Sequence, residues 1–443
     1  KLRYQPTDSL SISYTGHYSE SSNIPRYDRL TEKKANGRFR NAEWYYGPQI
    51  WSMNQLKLAY DHATALFDRI KVTGYYQTWE ESRHDRAYGT DLLRHRVENV
   101  GWGGLNLDLN KRLGKNTRLL YGIDLIRNKV NSKAWTENIE TGEEQAIGTR
   151  YPDGSTWSSY GAFAQLEHDF NEKLTLNVGA RYDRVILNAT LDTGFYPFPF
   201  QEININTGSP TGQLGFIYRP TEKWTFRLNG SSGFRAPNID DAAKVFDSEP
   251  GSVVVPNSDL GSERAYNVDL GIAKRFGNAV KVDVTGFYTL LQNAMVRREF
   301  QYQGRDSIVY DGTLSNVQAT KNVGSARVYG FQASLQAALG RGFKFEGHYN
   351  HTFGETSDGK SIRHVAPPFG KAQLSWARRG FKAQFYADWN LEIPYEDLAP
   401  SEKGKPHLYA SDAQGRPYSP GWYTLNVKAS YSPVEFLRLS AGV

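Results

Sequence analysis

Tyr423-Thr424-Leu425-Asn426-Val427-Lys428-Ala429-Ser430-Tyr431 places Tyr423, Leu425, Val427, Ala429 and Tyr431 on one face of an extended chain. Thr424, Asn426, Lys428 and Ser430 fall on the other, because successive strand side chains point to opposite faces. The stretch has about the 9–11 residues that carry a tilted strand across a bilayer. Its apolar face begins and ends with Tyr, as two interfacial aromatic girdles require. The pattern recurs in Leu174-Thr175-Leu176-Asn177-Val178-Gly179-Ala180-Arg181-Tyr182. It recurs again where Phe381, Ala383, Phe385, Ala387 and Trp389 alternate with Lys382, Gln384, Tyr386, Asp388 and Asn390.

A soluble β-sandwich also alternates, so the connections decide between the two. Short turns are expected near Pro6–Ser9, Ala63–Leu66, Lys111–Lys115, Asn171–Lys173, Pro220–Lys223, Phe276–Asn278, Gly340–Gly342, Arg379–Gly380 and Ser432–Glu435. Between them, long loops are expected near Glu20–Ser52, Thr78–Arg94, Lys129–Thr156, Leu191–Pro210, Ser232–Arg264, Gln292–Lys321, Gly354–Pro368 and Leu391–Pro420. Strict exchange of tight turns with long loops is the signature of an outer-membrane barrel, short at the periplasmic end and long at the extracellular end. The fold class is therefore all-β: one transmembrane antiparallel β-barrel domain over residues 1–443, with about eighteen strands visible. Lys1 starts within a descending strand and Ser440–Val443 stop inside an ascending one, so the barrel is expected to be incomplete at both ends. The loop after Met295 is expected to hold its own hairpin, with Gly304-Arg305-Asp306 at the tip and Phe300–Tyr302 facing Ile308–Tyr310.

Composition agrees with a barrel. Length alone would suggest two or three soluble domains, but aromatics make up 14% of 443 residues while mean hydropathy is −0.61. No window approaches about 18 consecutive apolar residues, which leaves the barrel as the way to span a bilayer. Only alternate residues of a barrel need be apolar, so its hydropathy stays low. The chain has no Cys, which excludes disulfide scaffolds, thiolate metal sites and cysteine nucleophiles. The net charge of +6 is dispersed rather than clustered, arguing for polar loops and a wet lumen beside anionic lipid and against a nucleic-acid partner.

Chemistry-bearing patterns are sparse. His348 and His351 are three apart in a strand and point to opposite faces, so they do not share a metal. His84, His95, His364 and His407 fall on or near long loops, where histidines ligate a haem iron or a metal complex or are simply solvated. Asp240-Asp241 and Glu143-Glu144 read as solvated loop carboxylates. No phosphate-loop, nucleophile-elbow or His-Glu-x-x-His pattern occurs, and the chain is not expected to be an enzyme, to carry a cofactor or to hold a metal. Trp44, Tyr45, Tyr46, Trp51, Tyr196, Phe198 and Phe200 lie in expected extracellular loops. Exposed rings there stack on a sugar, a haem or an aryl chelate, or else join the upper girdle and pack the loops.

Gly233-Phe234-Arg235-Ala236-Pro237-Asn238 is followed by Val253-Val254-Val255-Pro256-Asn257-Ser258-Asp259-Leu260, then Glu263, Asn267 and Asp269-Leu270-Gly271-Ile272. This resembles the TonB-dependent receptor family, whose barrels carry a "FRAP" box (here Phe234, Arg235, Ala236, Pro237) and an "NPDL"-type box (here Pro256, Asn257, Asp259, Leu260) around one extracellular loop. Thr285-Gly286-Phe287-Tyr288, Asn293, Asn322, Ala326-Arg327-Val328-Tyr329-Gly330 and Gly421-Trp422-Tyr423-Thr424-Leu425-Asn426 match as well, so the resemblance runs from about Ser158 to the end. Two departures stand out. Ser258 occupies a position where the family usually has Pro. Between the boxes, Asn238 to Val255 lacks the His that haem receptors of the family carry.

The resemblance implies a Gram-negative outer membrane, a 22-stranded barrel, and an N-terminal plug and TonB-contacting segment beyond this chain. It implies active uptake of a scarce nutrient, with Fe(III)-siderophore first and haem or cobalamin behind it. The implied partners are outer-membrane lipid and lipopolysaccharide, the TonB complex and a small metal chelate. Lumen-facing Arg181, Arg227, Asp269, Asp283 and Lys428 are candidates for lining the path. The principal alternative is a complete passive porin of about eighteen strands, whose aqueous lumen suits this chain length. A barrel-borne outer-membrane protease or phospholipase would need convergent acid, base or nucleophile residues, which the sequence lacks.

Overall fold

The computed structural model describes residues 1–443 except Ala35, Tyr196, Pro197, Pro199, Pro250, Asp311, Gly312 and Lys405. The wall is a meander of eighteen strands. These are β1 (Leu2–Tyr4), β2 (Leu10–Glu20), β3 (Ile50–Asp61), β4 (Arg69–Ala87), β5 (Leu92–Leu113), β6 (Thr117–Asn138), β7 (Ser155–Asn171), β8 (Leu174–Thr190) and β9 (Glu202–Thr221). They continue as β10 (Trp224–Arg235), β11 (Glu263–Phe276), β12 (Val280–Glu299), β13 (Thr313–Gly340), β14 (Phe343–Thr356), β15 (Phe369–Arg378), β16 (Phe381–Asn390), β17 (Trp422–Val434) and β18 (Leu437–Gly442). Each is antiparallel to its neighbours in sequence, so every connection is a hairpin. A closed porin of these strands would pair β1 with β18. Among the described residues β1 pairs only with β2, and β18 only with β17.

All nine expected short turns lie at one end of the wall. The tightest join Asn171 to Leu174, Thr221 to Trp224, Gly340 to Phe343 and Arg378 to Phe381. Arg379 and Gly380 turn with φ values of 48° and 79°, a left-handed conformation that Gly380 adopts without steric cost. The opposite end carries the long connections, but three expected loops are largely strand. Paired backbone continues to Ala87 and Leu92 within 78–94, to Asn138 within 129–156, and to Glu299 and Thr313 within 292–321. Alternation weakens above the bilayer, where neither face must be apolar, yet backbone groups still gain by pairing. The hairpin after Met295 is present in altered form. Tyr302 and Arg305 exchange backbone hydrogen bonds of 2.9 and 3.0 Å around Gln303-Gly304, while Ile308–Tyr310 pair with 313–315 rather than with 300–302.

Alternation sorts the wall as the sequence pattern requires. Outward apolar side chains stay exposed around the belt, among them Leu105, Ile123, Val178, Leu228, Leu270, Val284, Phe385 and Leu425. Above them an aromatic row runs from Tyr288 to Tyr329 (6.3 Å) and Phe353 (5.3 Å), with His351 stacked on Phe353 at 4.1 Å. His351 thus belongs to the lipid-side girdle, while His348 pairs across to Lys371 on the inner face, as their spacing predicts. The lumen carries charge in pairs: Arg181 with Asp124 (3.0 Å) and Asp183 (2.6 Å), Arg227 with Asp283 (2.5 Å), and Lys371 with Asp388 (3.1 Å). Asp269 accepts from Asn229 (3.1 Å) and Asn267 (3.0 Å), and Lys428 stands opposite Gln384.

The buried apolar residues gather at the long-loop end. Leu187, Leu191, Ile203, Ile239, Ala242 and Leu260 form one cluster, and Val245, Val253, Val255, Tyr310 and Val317 another. These clusters seat the loops over the mouth, which builds the chamber described next.

Candidate ligand-binding chamber

The strand Asn41–Tyr46, inside the loop between β2 and β3, pairs antiparallel with the top of β4. Alternation along it separates three neighbouring aromatics that look equivalent in sequence. Trp44 and Tyr46 turn into a cavity of about 470 Å³ at the mouth of the barrel. Tyr45 turns to the outer face and stacks on His84 at 4.7 Å. His84 and His95 face each other across β4 and β5 with their Nδ1 atoms 2.7 Å apart, and His95 stacks on Trp135 at 4.9 Å. The two histidines therefore belong to an outer aromatic row, not to the chamber.

The chamber is strongly basic. Arg26, Arg29, Lys34, Arg40, Arg83, Arg94, Arg96 and Arg150 line it, against only Glu32 and Asp85. Tyr46 lies between two guanidinium groups, Arg26 at 5.5 Å and Arg83 at 5.1 Å from its ring centre. Its hydroxyl accepts a 2.6 Å hydrogen bond from Arg26 Nη1, and Arg26 also lies 5.0 Å from the Trp44 ring centre. A cation within about 6 Å of an aromatic ring centre is attracted by the ring's quadrupole. Asp85, 6% exposed, accepts from Arg94 Nε at 2.8 Å and Arg96 Nη1 at 3.4 Å and keeps both arginines aligned. Tyr310 and Ser315, from the hairpin before and within β13, close the far side.

A second cavity of about 450 Å³ adjoins it and shares Arg83 and Arg150 with the first. Arg150 is 4% exposed and pairs with Glu98 at 3.4 Å and Glu81 at 3.8 Å. Arg83 reaches Glu81 at 2.8 Å. These four charges form a polar partition between the two spaces. Asn238, Ile239 and Asp240 line the second cavity, which brings the Phe234–Asn238 segment to the chamber floor.

That segment works as a clamp. Arg235 donates to both Asp241 oxygens (2.6 and 2.8 Å) and to Glu263 Oε2 at 3.2 Å. Glu263 Oε1 accepts from the Met295 amide at 2.5 Å. Pro237 ends the strand and is fully buried, its carbonyl accepting from Trp157 Nε1 at 3.3 Å. Asn238 and Asp241 cap a single helical turn, Ile239–Ala242, each bonding the other's backbone N–H. From the second box, Asn257 donates to the Thr320 carbonyl at 2.8 Å and accepts from the Asp259 amide at 3.1 Å, while Leu260 is 5% exposed in the apolar cluster. Asn322 closes the loop by exchanging hydrogen bonds of 2.7 and 2.9 Å with Gly261.

Asp241 is not the solvated carboxylate that the sequence suggests, whereas Asp240 is half exposed as expected but also paired. Asp241 holds Arg235, and Asp240 accepts from Tyr151 (2.6 Å) and Lys244 (2.7 Å). Burial alone would raise the Asp240 carboxyl, but Lys244 and the Tyr151 hydroxyl outweigh it and hold it below the usual aspartate range. Burial raises the Tyr151 phenol and lowers Lys244, Asp240 partly offsetting the latter.

The remaining candidates separate cleanly. Trp51 lies on β3, where its Nε1 donates to Gln77 at 3.2 Å and its ring contacts His17 at 4.4 Å. Phe198 and Phe200 pack against the loop clusters, with Phe198 5.8 Å from Tyr302, which is a packing role. Tyr196 lies outside the described residues. Among the described residues no group of three or more metal-ligating side chains is present.

Residues 2–443 match the family model described as TonB dependent receptor-like, beta-barrel. Solved structures of the same fold include the copper transporter OprC, with TM-score 0.77 at 14% identity, covering 99% of this chain and 64% of that one. The siderophore receptor PirA from Acinetobacter baumannii gives 0.71 at 13% identity, with 99% and 64% covered. The unliganded ferric citrate transporter FecA gives 0.66 at 12% identity, with 99% and 63% covered. No curated protein matches the chain in sequence. The chain thus spans just under two thirds of the length of these structures. Matched along all but its first residue, the chain belongs to the TonB-dependent receptor family and is its transmembrane β-barrel.

Proposed function

We propose that this barrel captures an anionic metal chelate, a Fe(III)-siderophore first, at the outer surface of a Gram-negative outer membrane for TonB-driven uptake. The observation that carries the reading is the chamber, with eight basic side chains against two acidic ones and Trp44 and Tyr46 between them. Carboxylate and catecholate chelates of Fe(III) carry net negative charge on a rigid, partly aromatic body. A cleft lined by one sign of charge raises the local concentration of such a ligand and its association rate. Guanidinium forks suit its oxygens, and the rings suit its faces. The solved siderophore and ferric citrate receptors of the same fold support this class. The absence of His between Asn238 and Val255 weighs against haem.

The test uses the whole native receptor, purified in detergent. Fe(III) chelates of matched size and graded charge, from −3 to +1, are titrated while tryptophan fluorescence is followed. Affinity is expected to rise with negative charge and to fall with added salt. Equal affinity for anionic and cationic chelates refutes the proposal.

A further inference from the structure

The inner wall carries charge in pairs, at the short-turn end as well as higher up. Arg69 lies 3.5 Å from Asp61, Lys344 lies 2.6 Å from Glu346, and Lys71 pairs with Asp108. One sector of that end breaks the rule. Lys173 just before β8, Arg219 on β9, Lys223 just before β10, Arg275 on β11 and Lys281 on β12 share the inward phase of Thr175, Ile217, Arg227 and Asp283. The register sets them in one row. The Arg219 amide donates to the Lys173 carbonyl at 2.6 Å, and the Arg275 amide donates to the Lys223 carbonyl at 2.8 Å. Arg219 leads into the tight turn between β9 and β10, Lys223 leads out of it, and Arg275 faces Lys281 across β11 and β12. All five border a cavity of about 430 Å³. Among the described residues Lys173, Arg219, Lys223 and Arg275 have no ion-pair partner. Lys281 has only Asp283 at 3.8 Å, which Arg227 already holds at 2.5 Å. Glu172 and Glu222, the two carboxylates bordering the cavity, pair with none of the five among the described residues. Like charges placed side by side across a sheet are destabilising, so a row of five without interleaved carboxylates is a cost that packing does not explain.

We infer that this row is a second anion site, a weak one at the periplasmic mouth, which takes the oxygens of the anionic chelate as it leaves the lumen. The inference rests on the proposal above that the cargo is anionic and is transported. The two ends differ in how their cations are held. In the chamber Asp85 aligns Arg94 and Arg96, and the Tyr46 hydroxyl seats Arg26. At the lower end Lys173, Arg219, Lys223 and Arg275 are exposed and unbraced. Ordering a mobile side chain around a ligand costs affinity, and salt screens exposed charge. The row therefore attracts an anion without retaining it. Passage through a pore needs such binding, favourable enough to enter and weak enough to leave. Between the two ends the lumen cations of this sector are neutralised, Arg181 by Asp124 and Asp183 and Arg227 by Asp283. An anion released from the chamber thus meets no strong competing site on this wall before it reaches the row.

The test uses cells carrying the full-length receptor and radiolabelled Fe(III) chelates of matched size with net charge −3 and −1. Surface binding is titrated with the proton-motive force collapsed, and the energised uptake rate is read at saturating chelate. The variant K173Q/R219Q/K223Q/R275Q is expected to bind both chelates at the surface as the wild type does. Its uptake of the −3 chelate is expected to slow roughly ten-fold, with a smaller loss for the −1 chelate. The charge-keeping exchange K173R/R219K/K223R/R275K is expected to transport like the wild type. Heat-shifted migration on a gel reports that each variant is folded. Should the quadruple variant not assemble, K223Q/R275Q takes its place, with a smaller loss that still grows with chelate charge. Unchanged uptake in a folded variant overturns the site. Equal loss for the two chelates, or equal loss in the charge-keeping exchange, overturns it too and assigns the row a structural role. If wild-type surface binding shows no preference for the −3 chelate, the proposal of an anionic cargo fails and this site with it. A preference that persists beside a charge-independent loss of uptake refutes this site alone.

Discussion

Arg235 makes the clamp at the chamber floor quantitative. Its guanidinium is 46% exposed, whereas Asp241 and Glu263 are each 14% exposed. R235A removes three charge-assisted hydrogen bonds and leaves two nearly buried carboxylates facing each other. Such bonds are worth about 1.5–3 kcal/mol apiece when shielded, but nearly half of this guanidinium is in water and the carboxylates can rehydrate once the loop lifts. The net cost is therefore about 2 kcal/mol, or roughly a 30-fold shift toward the open loop. The strand ladders of β10 and β11 do not depend on the side chain, so the barrel stays folded. Amide hydrogen exchange over residues 236–262 of the whole receptor reads the effect directly. Exchange there is expected to quicken about 30-fold while that of β7 and β8 is unchanged. R235K, which keeps the charge but not the fork, is expected to fall between. Unchanged exchange in a folded R235A protein would show that the box does not clamp this loop.

Four other expectations follow from the same geometry. W44A and Y46A weaken binding of an anionic Fe(III) chelate about ten-fold each by losing ring contact and the seat of Arg26, while F198A leaves affinity unchanged, all read by fluorescence titration. L260A costs about 2–4 kcal/mol of loop stability, as expected for a buried leucine with partial collapse, measured by proteolysis of the loop. G330A impairs assembly, because a Cβ there would lie 2.1 Å from the His351 carbonyl oxygen in the neighbouring strand; the heat-shifted gel band reports it. Acid loosens the seat of the Asp240 loop. The carboxyl titrates below its ordinary value in the folded state, so its contribution is complete above about pH 4 and is lost as pH falls through the depressed folded value, which hydrogen exchange from pH 6 to 3 follows.

Much of the wall was legible because one rule governed it. Every crossing strand needs an apolar outer face, and the returns at the short end, Ala63–Leu66 excepted, are marked by Gly, Pro, Asn or Lys, so the tight turns fell where expected. The rule lapses above the belt. Residues 78–94 read as loop because Glu80, Ser82, His84 and Arg86 break the apolar face, yet 78–86 pair with β5 residue by residue. Loop strands that pair far along the chain, such as 41–46 with β4, have no local mark at all. That pairing assembles the chamber from residues scattered between Arg26 and Ser315. One signal was available: Arg83 and Asp85, and Arg94 and Arg96, each lie two apart, so each pair shares a face. The seven aromatic candidates could not be separated by type. Trp44 and Tyr46 differ from Tyr45 only in strand phase, and Phe198 and Phe200 differ from them by what lies beneath.

The most direct test of active capture by a TonB-dependent barrel is energised uptake. Cells with and without the intact gene are given a radiolabelled Fe(III) chelate of the charge the chamber prefers, before and after the proton-motive force is collapsed. The account predicts uptake that saturates, needs the gene, and stops on collapse while surface binding persists. Uptake that continues unsaturated and unchanged after collapse would contradict it and identify the barrel as a passive channel.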